Sequence, residues 1–131
     1  MRKEELIGNA MAAMKNAYAP YSKFTVGAAL LSASGKVYFG CNVENASYGA
    51  TICAERTAFS SAVAHGEKEF CSIAIVGGKG GRVEKYCSPC GICRQVMSEI
   101  CNKDFKIYLY NGVEIKTCTL EELLPESFGL R

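Results

Sequence analysis

Apolar and polar positions recur along this chain with two different periods, and the switches between them mark out its elements. Leu6, Ile7, Ala10, Met11, Met14 and Ala17 step by three and four, with Lys3, Glu4, Lys15 and Asn16 on the other face. This spacing predicts an amphipathic helix over 3–18, ended by Pro20 because the residue before a proline is driven away from helical backbone. The apolar run 25–31, the turn-forming Ser32-Ala33-Ser34-Gly35-Lys36 and the run 37–43 predict a β-hairpin, with Asn42, Glu44 and Asn45 clustered at its end. From Cys53 the helical period returns through Ala54, Ala58, Phe59, Ala62 and Val63, and His65-Gly66 stops it. Residues 70–77 read as a buried strand. Ile92, Val96, Met97 and Ile100 mark another helix, running to about Cys101. Residues 105–110 form a strand, Asn111-Gly112 a hairpin turn and 113–117 its return. Thr119-Leu120-Glu121-Glu122 fits a capping box opening a short helix that Pro125 stops. Strands alternating with helices predict a three-layer α/β fold with a mixed sheet. At 131 residues, with no linker or repeat, the chain reads as one domain over 1–131.

The glycine-rich Gly77-Gly78-Lys79-Gly80-Gly81-Arg82 lacks the Gly-Lys-Ser/Thr ending of a phosphate cradle, and no helical pattern follows it at once. It reads as a flexible loop. The net charge is +2, with lysines and arginines scattered rather than clustered, which argues against a nucleic-acid partner. No apolar run approaches the ~18–20 residues needed to cross a bilayer. Acidic residues at Glu4 and Glu5 stand where a signal peptide would begin its apolar stretch, so the expected compartment is the cytoplasm, with no membrane partner. In that setting eight cysteines point to metal binding or core packing rather than to disulfides.

The chemistry concentrates in Cys87-Ser88-Pro89-Cys90-Gly91-Ile92-Cys93 and in Cys53-Ala54-Glu55. Cysteines at i and i+3 of a turn or helix start can bring their sulfurs onto one metal ion. Three readings compete. Cys53, Cys90 and Cys93 could hold zinc and leave its fourth position to water. Cys87 or Cys41 could add a fourth sulfur and close a purely structural site. An iron–sulfur cluster would continue the run with a fourth cysteine after three residues and then proline, whereas seven residues separate Cys93 from Cys101 and no proline follows. Between open and closed zinc the deciding residue is Glu55, whose carboxylate can face the open position and move a proton between water and substrate. Both cysteine stretches fall at predicted helix starts, where backbone N–H groups favour thiolates. Three thiolates leave one net negative charge on the site, and Arg56 and Arg94 are placed to offset it. Cys41, Cys71, Cys101 and Cys118 read as apolar core, and His65 as a surface or helix-end residue.

These residues resemble the zinc-deaminase signature, Cys-x-Glu followed by Pro-Cys-x-x-Cys. Over nearly its full length the chain is further similar to the small cytidine deaminases. The stretches that carry this are Tyr18-Ala-Pro-Tyr-Ser-Lys-Phe24-Thr-Val-Gly-Ala-Ala29, Gly40-Cys-Asn42-Val-Glu44-Asn45-Ala46, Cys53-Ala-Glu-Arg-Thr57, Ser88-Pro-Cys-Gly-Ile-Cys-Arg-Gln95 and Glu122-Leu-Leu-Pro125. The resemblance implies a three-layer α/β/α fold with a mixed five-stranded sheet and one Zn²⁺ per subunit on Cys53, Cys90 and Cys93. It implies deamination of cytidine and 2′-deoxycytidine in pyrimidine salvage, with Glu55 shuttling the proton from water to ring N3 and then to the leaving amino group. Phe24 would pack against the base, the Ala54 backbone would meet the base edge, and Asn42 and Glu44 would bond the ribose. A carboxylate at the sugar favours a nucleoside over a nucleotide. Small members of the family are homotetramers, in which Ala46, Tyr48 and Phe128 would contribute across subunits. A deaminase of a modified cytosine nucleoside, such as blasticidin S, is the nearest alternative. Two features depart from the family: a connection at 77–86 longer than usual, and the additional thiol of Cys87.

Overall fold

The computed structural model describes residues 1–130. Five strands, β1 (Phe24–Ser32), β2 (Val37–Cys41), β3 (Phe70–Lys79), β4 (Lys106–Tyr110) and β5 (Ile115–Thr119), form one sheet in the order β2-β1-β3-β4-β5. Only the β3–β4 pair is parallel, and the helix between these strands makes the crossover that parallel pairing requires. The alternation within β1 and β3 sorts side chains onto two faces. Ala29, Ala74 and Val76 turn to α1 (Lys3–Met14) and meet Leu6, Ile7, Ala10 and Met14. Ala28, Leu30, Ile73, Ile75, Ile107 and Leu109 turn the other way, against α2 (Ala54–Ala64), α3 (Gly91–Ile100) and the one-turn α4 (Leu120–Leu123). The result is the expected α/β/α sandwich. Because β3 is covered on both faces, its sequence is a continuous apolar run rather than an alternation.

Three boundaries differ from the sequence reading, each for a local reason. α1 stops at Met14 instead of 18, because Tyr18 is drawn into extended pairing: its N–H donates to Asn42 O at 2.9 Å and its carbonyl accepts from Glu44 N at 2.8 Å. The glycine-rich segment is not a flexible loop at its start, since Gly77, Gly78 and Lys79 continue β3 opposite Val26, Thr25 and Phe24. Side chains at Gly77 and Gly78 would run into Cys87 Sγ and the Arg82 carbonyl respectively, so close packing rather than mobility selects glycine there. The chain turns back only at Gly80 and Gly81, both with positive φ. The β4–β5 connection is also wider than a two-residue Asn-Gly turn. Asn111 Oδ1 accepts from the N–H groups of Val113 and Glu114 at 2.9 and 2.7 Å, which delays β5 to Ile115. The capping box forms as read, with Thr119 Oγ1 accepting from Glu122 N at 3.2 Å and Glu122 Oε1 from Thr119 N at 2.7 Å.

Candidate active site

Two helix starts meet at one end of the sheet. Cys53 is the residue that caps the N-terminus of α2, and Cys90 caps α3 with its Sγ accepting from Cys93 N at 3.4 Å. Cys93, one turn in, is fully buried. Cys90 Sγ lies 3.6 Å from Cys53 Sγ and 3.4 Å from Cys93 Sγ, and all three sulfurs lie within 4.8 Å of one another. Sulfurs about 2.3 Å from a tetrahedral zinc stand about 3.8 Å apart, so the three fit a shared ion. They are the one group of metal-capable side chains among the described residues, and Cys87 is not in it. Its thiol packs beside the core and toward Gly77, where the Phe24 ring and Val26 also converge.

The charges around the sulfurs are arranged unevenly. Cys53 is held well below the usual thiol range, first by the hydrogen bond it receives from Cys93 and then by Arg56, whose Nη2 lies 3.6 Å from its Sγ. Cys93 is pushed up, because its proton serves Cys53 and because it is buried beside Glu55. Burial first, and then the charges of Glu55 and Cys53, push Cys87 up to about 11, leaving it a neutral thiol. Glu55, the second residue of α2, is only 4% exposed. Burial raises its carboxyl above the usual range, and the neighbouring Cys53 charge adds to this. A buried acid with its carboxyl raised in this way, beside a metal-capable cluster, is suited to hold and pass on a proton. Arg56 Nε is buried without a hydrogen-bond partner, while its Nη2 is the atom that reaches the Cys53 sulfur. Arg94 is placed differently from the expectation that it balances thiolate charge. Its Nε donates to Pro89 O at 2.8 Å and its Nη1 to Leu123 O at 2.7 Å, tying α3 to its own leading turn and to α4.

Next to this cluster the end of β2 and the start of β1 bring Phe24, Asn42 and Glu44 together. Buried Asn42 clamps the first residues of β1, with Oδ1 accepting from Val26 N at 2.8 Å and Nδ2 donating to Phe24 O at 2.9 Å. Phe24 is left 39% exposed, a poor arrangement for core and a good one for a platform. Glu44 Oε1 accepts from the N–H groups of Tyr21 and Ser22 at 3.0 and 3.2 Å. A cavity of about 430 Å³ opens on Glu44, lined by Tyr21, Ser22, Asn45, Tyr48 and Thr51. Tyr48, expected to act across subunits, thus lines the cavity of its own chain and meets Tyr21 edge to face with ring centroids 6.5 Å apart. Ala46 and Phe128 are exposed, and Ala54 is fully buried at the first turn of α2. Tyr21, Ser22 and Val26 were not singled out in the sequence. Their signal there was only their place within the stretch Tyr18 to Ala29.

Three cysteine sulfurs at paired helix starts, with a buried carboxyl beside them, define the site of a zinc hydrolase. A family model described as the cytidine and deoxycytidylate deaminase zinc-binding region matches residues 1–109. The cytidine deaminase of Sporosarcina psychrophila is 48% identical over 96% of this chain and 90% of its own length. That of Halalkalibacterium halodurans is 47% identical over 98% of this chain and 95% of its own. Among solved structures, the 1.6 Å crystal structure of cytidine deaminase from Burkholderia pseudomallei superposes with a TM-score of 0.90 at 47% identity, over 98% of this chain and 100% of that one. Cytidine deaminase from Mycobacterium tuberculosis superposes at 0.84 with 42% identity, over 99% of each chain. The chain belongs to the cytidine and deoxycytidylate deaminase family.

Proposed function

We propose that this chain catalyses hydrolytic deamination of cytidine and 2′-deoxycytidine, giving uridine or 2′-deoxyuridine and ammonia. The observation that carries this is Glu55, a buried carboxyl at the start of α2 beside the three-sulfur cluster. Cys53, Cys90 and Cys93 would hold one zinc ion per subunit, and the chemistry zinc supplies when bound is to make a water acidic enough to act as a nucleophile near neutral pH. Glu55 accepts the proton that water gives up. It passes that proton to ring N3, which makes C4 electrophilic; as the water oxygen bonds to C4, Glu55 relays the second water proton to the amino nitrogen, and the C4–N bond breaks to release ammonia. Its burial suits the task, since a carboxyl displaced upward can hold a proton between the two transfers. Arg56 offsets the negative charge that three thiolates bring.

The neighbouring residues orient the nucleoside. Phe24 supplies the platform for the base, and the Ala54 backbone meets its edge. Asn42 retains one amide N–H and one carbonyl lone pair beyond those spent on β1, so it can bond the ribose without releasing the strand. Glu44 accepts from the 3′-hydroxyl, and its negative charge disfavours a phosphorylated sugar. The active assembly is a homotetramer in the cytoplasm, with Ala46, Tyr48 and Phe128 serving neighbouring sites. Supporting this, Phe39, Tyr48 and Phe128 are 51%, 80% and 70% exposed, and large apolar side chains in that state suit a subunit interface. Among the described residues no helix is long and apolar enough to cross a membrane.

The test follows loss of cytidine absorbance by zinc-loaded protein, with uridine and ammonia identified as products. Absence of turnover, or a Glu55→Ala variant as active as the parent, would overturn the reading.

A further inference from the structure

We propose that Ser22 is the positioning residue that couples the sugar acceptor Glu44 to the base platform Phe24. The proposal rests on the nucleoside roles given to those two residues. Ser22 Oγ donates to Glu44 Oε2 at 2.5 Å and accepts from Phe24 N at 3.0 Å. A hydroxyl has one proton and two lone pairs, so this single side chain can bond both residues at once. On the far side of Phe24, its carbonyl is held by Asn42 Nδ2. Ser22 and Asn42 therefore fix the Phe24 peptide units from both ends, and the ring at the strand start inherits that placement.

The geometry between these bonds explains why a hydroxyl is needed. Lys23, between Ser22 and Phe24, has φ 59, an uncommon value for a residue with a side chain. Its carbonyl accepts from Gly80 N at 2.9 Å and its N–H donates to Ala19 O at 3.1 Å. This left-handed step folds the backbone so that the Ser22 hydroxyl comes back over the Phe24 N–H. Three donors then converge on the Glu44 carboxylate: Tyr21 N, Ser22 N and Ser22 Oγ. A carboxylate offers about four acceptor directions, which leaves one on Oε2 for a substrate hydroxyl. Without the Ser22 hydroxyl, Oε2 loses the bond that sets its direction, and Phe24 N–H loses its acceptor.

The test compares kcat/KM for cytidine with kcat/KM for 2′,3′-dideoxycytidine, which keeps the base and lacks the hydroxyl that Glu44 would accept from. Ser22→Ala is expected to lower the cytidine-to-dideoxycytidine ratio roughly three- to tenfold, the scale of one net hydrogen bond, with bound zinc unchanged. Ser22→Thr, which keeps the hydroxyl, is expected to restore the ratio. Ser22→Cys, close in volume and a weak donor, is expected to behave like alanine and stands in should the alanine variant fold poorly. In a Glu44→Gln background, Ser22→Ala should change the ratio little. Equal losses on both substrates, no rescue by threonine, or a full effect in the Glu44→Gln background would each overturn the coupling. If Glu44→Gln itself leaves the ratio intact, the sugar role of Glu44 fails. If Glu44→Gln collapses the ratio and Ser22→Ala does not, only the role of Ser22 fails.

Discussion

The carbonyl of Ala54 occupies the place where a side chain on Gly40 would sit. An added Cβ would also lie 2.6 Å from Ala58 N, so it meets helix backbone rather than a side chain that could swing away. Gly40 thus lets α2 press onto β2, and α2 begins with Cys53 as its cap and Glu55 in its first turn. Gly40→Ala is expected to destabilise the fold by about 2–3 kcal/mol, at the upper end of overpacking costs, and to weaken zinc retention by moving the start of α2. Gly8→Ala in α1 is the control. Nothing lies within 4 Å of the added carbon, and alanine in a helix gains about 0.5–1 kcal/mol over glycine. Thermal melts of both variants check this, and a Gly40→Ala protein as stable as Gly8→Ala would refute the close-approach argument.

Metal retention separates the cysteines that share a run in the sequence. Cys90 and Cys93 belong to the three-sulfur group, whereas Cys87 lies outside it, a neutral thiol packed toward Gly77 and Phe24. Cys87→Ser is expected to keep one zinc per chain, and Cys53→Ser, Cys90→Ser or Cys93→Ser to lose most of it. Elemental analysis of the purified proteins after dialysis decides the matter. Zinc lost from the Cys87 variant as well as from the other three would revive a closed site of four sulfurs.

Glu55→Gln keeps the shape of the buried side chain and removes its ability to carry a proton. Kinetic loss without metal loss is the expected signature: kcat lower by about 100- to 10,000-fold, the usual worth of positioned acid–base catalysis, with zinc content at the parent level. A variant that keeps its zinc and stays within about tenfold of the parent kcat, far below that usual loss, would remove Glu55 from the proton path.

The sequence carried the helix starts and the zinc group well, because their signals are local. Cysteine spacing, a helical period beginning at Cys53 or Ile92, and a capping box at Thr119 each depend on residues within a few positions. What the sequence concealed depended on partners far along the chain. Gly77 and Gly78 look like loop residues until β1 and Cys87 are packed against them. The bonds of Ser22 and Tyr21 to Glu44 span 22 and 23 residues, and Arg94 reaches Leu123 across 29. Spacing alone could suggest that an arginine near a thiolate balances its charge. It could not reveal that two carbonyls, Pro89 O and Leu123 O, are both bonded by the Arg94 guanidinium.

Tyr38 and Glu67 join β2 to the turn after α2, and their bond gives stability a pH window. Tyr38 Oη donates to Glu67 Oε2 at 2.7 Å, and Ser34 Oγ donates to the same oxygen at 2.8 Å. The Tyr38 bond, followed by that of Ser34, lowers the carboxyl of Glu67, while the same bond raises the phenol of Tyr38. A lowered carboxyl contributes stability that is present above its unfolded value, about 4.3, and is lost as pH falls through the folded value. A raised phenol contributes stability that is present below its unfolded value, about 10, and is lost as pH rises through the folded one. The pair therefore supports the fold between those limits and fades outside them. Glu67→Gln keeps an acceptor oxygen and discards the charge. Its urea midpoint is expected to fall below that of the parent near pH 7, and the gap to narrow as pH drops beneath about 4.3 and on through the lowered value of the folded carboxyl. A gap that stays constant across this range would mean that the charge on Glu67 contributes nothing to holding the turn against β2.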